Sequence, residues 1–240
     1  MYPDVPLVIP EVNARHLKLL ECQPWRRKTG GFMVTNPNCS ATGLTMALAP
    51  LHRRFGIEKV VVVTMQAISG AGFPGVPSLD ILGNVVPFIS NEEDKLETEP
   101  RKMLGQLAGS KIDEAQFTLS AHCNRVPVED GHTESVSVKL TRQATADEMV
   151  AAWREFRGGA EVEHLPSAPE EPIVYLEQRE RPQPRLDRDL GRGMSTSVGG
   201  LRPCSVLDWK FTVLSHNTIR GAAGATLLNA ELLKQQGYLG

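Results

Sequence analysis

The 240-residue sequence has no apolar run approaching the roughly 20 residues that a membrane-crossing helix needs. Its opening residues do not read as a signal peptide, because Asp4 and Pro6 interrupt the only apolar stretch there. It carries no large charge imbalance. A formal net charge of −2 removes the electrostatic case for nucleic acid or an anionic membrane as partner. Cysteine is scarce: the four residues Cys22, Cys39, Cys123 and Cys204 are widely spaced and form no CxxC pair. That argues against a disulfide framework and a zinc site, and it fits a reducing compartment. There is no internal repeat and no low-complexity tract. What remains is an ordinary globular composition, 41% apolar and 22% charged, long enough for one large domain or two small ones. The expected location is the cytoplasm.

The most informative stretch surrounds Cys39. Phe32 to Val34 reads as a short strand, and Asn36-Pro37-Asn38 breaks it, since proline lacks an N–H and asparagine tolerates turn geometry. Leu44, Ala47, Leu48, Leu51 and Phe55 then recur at helical spacing. Cys39 therefore stands at the mouth of a helix, with Asn38 or Ser40 as its cap. Free backbone N–H groups and the positive end of the dipole favour a thiolate there, and the same groups suit an oxyanion. The local pattern serves a buried, inert thiol equally well.

Elsewhere, Val5 to Asn13 reads as a strand bracketed by prolines. Lys59 to Ala67 is β-branched and reads as a strand, followed by the small-residue loop Ser69 to Gly75, where a ligand can approach the backbone closely. Asn91 to Gly105 reads as an exposed, charge-rich helix with a solvated face. Phe117 to Val128 and Thr133 to Leu140 form a strand-turn-strand unit. Thr145 caps an amphipathic helix ending near Phe156. Residues 158 to 193 are rich in glycine, proline and charge and contain one strand, Ile173 to Leu176. Two further strands lie at Met194 to Val198 and Ser205 to Leu214. A helix from Gly221 to Gln236 stops at Gly237.

Several phrases combine into a pattern that resembles the aspartate-semialdehyde dehydrogenase family, in its archaeal and fungal branch. They are Asn36-Pro37-Asn38-Cys39-Ser40, Gln66-Ala67-Ile68-Ser69-Gly70-Ala71-Gly72 and Cys123-Asn124-Arg125-Val126-Pro127-Val128-Glu129-Asp130-Gly131-His132-Thr133. Arg181-Pro182-Gln183-Pro184-Arg185 and Asn217-Thr218-Ile219-Arg220-Gly221-Ala222-Ala223-Gly224-Ala225 complete the set. They span nearly the whole chain in the family's order.

The resemblance implies NADPH-dependent reduction of L-aspartyl-4-phosphate to aspartate semialdehyde, on the route to threonine and methionine. By resemblance Cys39 is the nucleophile that forms a thioester. His132 is the general acid/base, whose ordinary pKa of about 6.5 suits neutral pH. Arg125 clamps the substrate carboxylate, Glu99 takes its ammonium and Gln66 orients it. Asn38 and Lys102 meet the phosphate. Ser69, Gly70, Ala71, Gly72 and Asn217 meet NADP. The implied assembly is a homodimer or homotetramer.

The family's opening glycine-rich nucleotide turn has no counterpart upstream of Cys39. Gly200 stands where relatives often carry arginine. The expected organisation is thus residues 1–35 as the end of a nucleotide-binding domain, 36–215 as a catalytic and dimerisation domain, and 216–240 as a helix returning to the first. The expected fold is α/β: a mixed, largely antiparallel sheet like that of glyceraldehyde-3-phosphate dehydrogenase, beside the remnants of a Rossmann-type NADP-binding domain. Two other readings stand beside this one. The first is a malonyl-CoA reductase, against which the ammonium-binding Glu99 argues. The second is a cofactor-deficient, non-catalytic interaction subunit.

Overall fold

A computed structural model describes residues 3–239. Met1, Tyr2 and Gly240, at the outer ends of the first and last expected segments, lie outside the described residues. Helix α1 (Cys39–Phe55) forms where the Leu/Ala pattern predicts it. The Asn38 side chain accepts hydrogen bonds from Ser40 N and Ala41 N, His52-Arg53-Arg54 complement its C-terminal dipole, and Gly56 at φ 68° ends it. Strand β1 (Ile57–Gln66) follows. Val60, Val62, Thr64 and Gln66 point to the covered side and are buried, while Val61 and Val63 face outward, as period-two alternation requires.

Helix α2 (Glu92–Met103), strand β2 (Thr118–Arg125), strand β3 (His132–Leu140), helix α3 (Ala146–Arg154) and strands β4 (Ile173–Leu176), β5 (Thr196–Pro203) and β6 (Trp209–Ser215) complete the central body. The strands make one six-stranded sheet in the order β2-β1-β3-β6-β5-β4. Pairs β1–β2 and β4–β5 are parallel, and the other three pairs are antiparallel. This is the mixed, largely antiparallel sheet that the sequence implies. Helix α1 packs on one face through Leu44, Ala47, Leu48 and Leu51. Trp153 of α3 stacks on Tyr175, meets Phe211 edge-on and donates its indole N–H to Ala47 O.

Three expectations about local structure are corrected. The proline-bracketed segment is not a strand: it makes a single parallel bridge, Leu7 to Thr35, and then turns into a short helix, Pro10–Asn13. Pro10 pre-sets the first helical position, and Asn13 folds back to accept from Ile9 N and donate to Leu7 O. Phe32 to Val34 forms no strand either, because the Gln23 amide takes the place of a ladder partner, accepting from Met33 N and donating to Met33 O. The charged face of α2 is not simply solvated. Glu93 and Glu97 accept from Cys123 N and Ala121 N, covering the open edge of β2, and Glu92, Glu99 and Lys102 are buried.

Helix α4 (Gly224–Gln235), preceded by a wide turn over Ile219–Ala223, packs with the N-terminal segment in a second core of Val8, Leu17, Leu20, Leu228 and Leu232. The first and last segments thus sit together. A fully buried, bidentate ion pair, Arg220 to Glu11 at 2.7 Å, ties them to each other, and Arg220 also donates to Met46 Sδ of α1. Gly200 lies at φ 62° beside the irregularity between Gly199 and Arg202 in β5. Glycine adopts that left-handed conformation more readily than a residue with a side chain.

Candidate active site

Register across the sheet assembles the site. Gln66 ends β1 directly opposite Arg125, which ends β2. His132 begins β3, one step beyond the Met65–Thr133 pair, and is opposite Ser215 of β6. Arg125, Gln66 and His132 therefore lie side by side at one end of the sheet, and the N-terminus of α1 brings Cys39 over them. Cys39 Sγ is 3.2 Å from His132 Nε2. Packing here leaves no spare room: a Cβ on Gly221 would stand 2.6 Å from Cys39 Cβ, and one on Gly70 would stand 2.8 Å from Arg125 Nη1 and 2.9 Å from His132 Cε1.

The electrostatics differ from the expectation for His132. Burial, then the charge of Arg125, lower its pKa to about 3, so the ring is neutral at pH 7. It is not an unshifted histidine. Burial and then the Glu92 carboxylate raise the Cys39 thiol to about 11, partly opposed by the backbone N–H groups of Ser40 and Cys39 at the helix mouth. The helix end therefore moderates the thiol without ionising it at rest.

Each predicted side chain has a defined place. Arg125 donates Nη1 to Ala67 O, and its remaining guanidinium N–H groups have no partner among the described residues. Gln66 donates Nε2 to Glu92. Asn38 caps α1 with Oδ1 and donates Nδ2 to both oxygens of Glu92. Ser69 and Asn217 are bonded to each other, Asn217 Nδ2 donating to Ser69 Oγ, while Asn217 Oδ1 accepts from Gly131 N. They hold the loop 69–72 against the turn before His132. Gly70, Ala71 and Gly72 are exposed on the outer side of that loop.

Glu99 and Lys102 do not join the cluster. Glu99 accepts from Asn38 N at 2.7 Å from beneath the helix mouth, and Lys102 donates to Val5 O at 2.9 Å. Both of these bonds are to main-chain groups. The α2 side chain that bonds to the side chains of Asn38 and Gln66 is Glu92, one heptad before Glu99. Glu92 receives Asn38, Gln66 and Lys95, the last at 3.1 Å. The sequence holds the signal for both pairs, because each is Glu-x-x-Lys on one helical face. Only the contact with β1 and α1 distinguishes them. No group of three or more potential metal-ligating side chains occurs among the described residues.

The family model for the semialdehyde dehydrogenase dimerisation domain matches residues 48–220. The aspartate-semialdehyde dehydrogenase of Methanothermobacter thermautotrophicus is 50% identical over 237 residues, which is 98% of this chain and 68% of that protein. That of Archaeoglobus fulgidus is 52% identical over 97% of this chain and 66% of its own length. The crystal structure of the Candida albicans enzyme with NADP superposes with a TM-score of 0.88 at 44% identity, covering 99% of this chain and 69% of that one. Thiol, imidazole and guanidinium thus converge on a sheet whose whole path follows these relatives, and the chain belongs to the aspartate-semialdehyde dehydrogenase family.

Proposed function

We propose that this chain works as an aspartate-semialdehyde dehydrogenase, reducing L-aspartyl-4-phosphate to L-aspartate 4-semialdehyde and phosphate in the biosynthesis of threonine and methionine. The observation that carries the reading is the 3.2 Å approach of Cys39 Sγ to His132 Nε2 with Arg125 and Glu92 around them. Cys39 attacks the acyl carbon, an S–C bond forms, the C–O bond to phosphate breaks, and the thioester splits one difficult step into two. Arg125, with its unpartnered N–H groups, takes the α-carboxylate in two parallel bonds. Glu92 takes the ammonium, and Lys95 with Asn38 faces the phosphate. Gln66 fixes the Glu92 carboxylate from the sheet side. His132 presents Nε2 to the sulfur and to the oxygen that gains charge on the acyl carbon.

NADPH supplies the hydride when bound. The described residues fit its nicotinamide half: the loop 69–72 offers exposed backbone, and Gly70 lies directly on the His132 ring. Ser69 and Asn217 support that loop through their mutual bond. In this reading residues 36–215 are the catalytic unit, and the described residues of the flanking segments, 3–35 and 216–239, belong to the nucleotide-binding part.

A second copy of the chain is the proposed partner, as a homodimer or homotetramer. Val61 and Val63 are 46% and 39% exposed on the face of the sheet opposite α1, an apolar strip that a like face covers. No helix among the described residues is long and apolar enough to cross a membrane, and the cytoplasm is the proposed compartment.

The test is NADPH oxidation by the chain with aspartyl phosphate, beside malonyl-CoA as the competing substrate. Turnover with the first alone supports the reading, and turnover with the second alone replaces it. Sedimentation velocity gives the assembly.

A further inference from the structure

The far end of α1 opens on a cleft that the proposed reaction does not use. The segment 10–18, the last turn of α1, the residues that follow α2 and the loop after α3 enclose about 900 Å³ there, a volume within the range of small-molecule sites. Cys39 lies at the other end of the same helix, about 21 Å away along its axis.

The charge of the cleft is one-sided. Arg15 and Lys18 line it from the N-terminal segment, Arg53 from α1 and Arg157 from the loop after α3. Among the described residues none of these four cations is in an ion pair. Two carboxylates share the walls. Glu11 has both oxygens bonded to Arg220, which leaves Glu161 as the one counter-charge in the lining. Burial lowers the pKa of His16 to about 4 and lowers that of His52, so neither adds charge at neutral pH. Four cations against Glu161 leave a charge of about +3.

Two of the guanidinium groups are fixed in place before any ligand arrives. Arg53 Nη2 donates to Val12 O at 2.7 Å and Glu11 O at 3.3 Å, and its guanidinium lies 5.1 Å from the centre of the Phe156 ring. Arg157 Nη1 donates to Phe156 O at 2.8 Å and Arg154 O at 2.9 Å. Phe156 therefore seats both, and each keeps N–H groups without a partner among the described residues. Burial, and then the charge of Arg15, lower the pKa of Arg53, as like charges held close to one another do.

We propose that this cleft is a second anion site, separate from the thiol, that takes a small molecule carrying a diphosphate group. Planar guanidinium forks match phosphate oxygens in pairs, and Lys18 adds a point charge. Each phosphoryl group carries about 1.5 to 2 negative charges near neutrality, so two of them balance the cleft. The inference does not depend on the reaction proposed above.

The test is isothermal titration of the full chain with inorganic pyrophosphate, ADP and citrate at fixed ionic strength. Saturable binding of pyrophosphate or ADP with Kd at or below about 1 mM is expected. The tighter of the two shows whether the group arrives free or on a nucleotide. Arg15→Gln and Arg157→Gln, at exposed side chains, should each weaken binding about tenfold. Lys95→Met at the thiol end of the molecule, and Lys234→Gln on the exposed face of α4, should bind as the wild type does. No saturable binding overturns the proposal, as does wild-type affinity in either arginine variant. An equal loss in Lys95→Met places the ion at the thiol instead, and an equal loss in Lys234→Gln reduces it to general surface charge. Citrate binding more tightly than both phosphate probes overturns the diphosphate assignment.

Discussion

Helix α2 carries Glu-x-x-Lys twice, and the two copies have different work. Glu92 accepts from the side chains of Asn38, Gln66 and Lys95, and its charge raises the pKa of the Cys39 thiol. Glu99 and Lys102, two turns on, are bonded to the main-chain groups Asn38 N and Val5 O. They pin the mouth of α1 and the N-terminal segment to α2. Identical spacing and identical residue types therefore meet side chains in one place and main-chain groups in the other. What separates them is the neighbour each turn meets: the side chains of Gln66 and Asn38 for the first, and the Asn38 backbone N–H and the N-terminal chain for the second.

The sharpest way to break this distinction is Glu92→Gln. Removing one partner of a hydrogen-bonded charge pair costs several kcal/mol, so kcat/KM with aspartyl phosphate should fall about 1,000-fold. Without substrate the thiol should respond in the opposite sense, because the Glu92 charge holds its pKa up. Alkylation of Cys39 at neutral pH should therefore quicken. A variant that turns over like the wild type would end the proposed role.

Next in size is an acid effect at the second pair. His16 packs under it, with Nε2 on Gly105 O and Nδ1 on the Asn13 amide. Burial, reinforced by the Lys102 charge, lowers its pKa to about 4. The folded value lies below the unfolded one of about 6.5, so on acidification the unfolded chain binds a proton first. The stability His16 contributes is complete above about pH 6.5 and is lost progressively down to about pH 4, a change of about 3 kcal/mol. Urea unfolding at pH 7 and pH 4 measures it as the extra loss of the wild type over His16→Asn.

Lys102→Met tests the second pair directly. It leaves Val5 O without its buried donor, at a cost of about 1–3 kcal/mol in unfolding free energy, while the Cys39 alkylation rate stays at its wild-type value. Glu99→Gln should be the mildest change. The amide oxygen still accepts from Asn38 N, but a neutral acceptor replaces a charged one, worth about 1 kcal/mol. Thermal unfolding registers it. A large effect of either variant on KM would return that pair to the substrate site.

Much of the fold was legible because local physics and tertiary packing agree. The Asn38 cap, the β-branched strand over 59–66, the Thr145 cap and the strand Ile173–Leu176 all stand where pattern predicts them. Prediction failed where a side chain replaced a backbone partner. Gln23 satisfies Met33 and Asn13 satisfies Ile9, so neither flanking segment needs a sheet. Period and propensity contain no signal for such substitutions. Helical spacing defines a face of α2 but not which element each turn along it meets, so the pairing of Glu92 with Asn38 and Gln66 carries no signal in the sequence.

The sequence by itself determined that a cysteine opens a helix, that an arginine and a histidine frame a turn, and that these phrases follow one family's order. Those are statements about neighbours along the chain, and short-range sterics and capping suffice for them. Tertiary structure decided that Glu92 meets Asn38 and Gln66, that His132 is buried with Nε2 3.2 Å from Cys39 Sγ, and that Arg125 lies opposite Gln66. Each depends on desolvation and on donors from distant strands meeting at a few ångströms, which only the register of the folded sheet supplies.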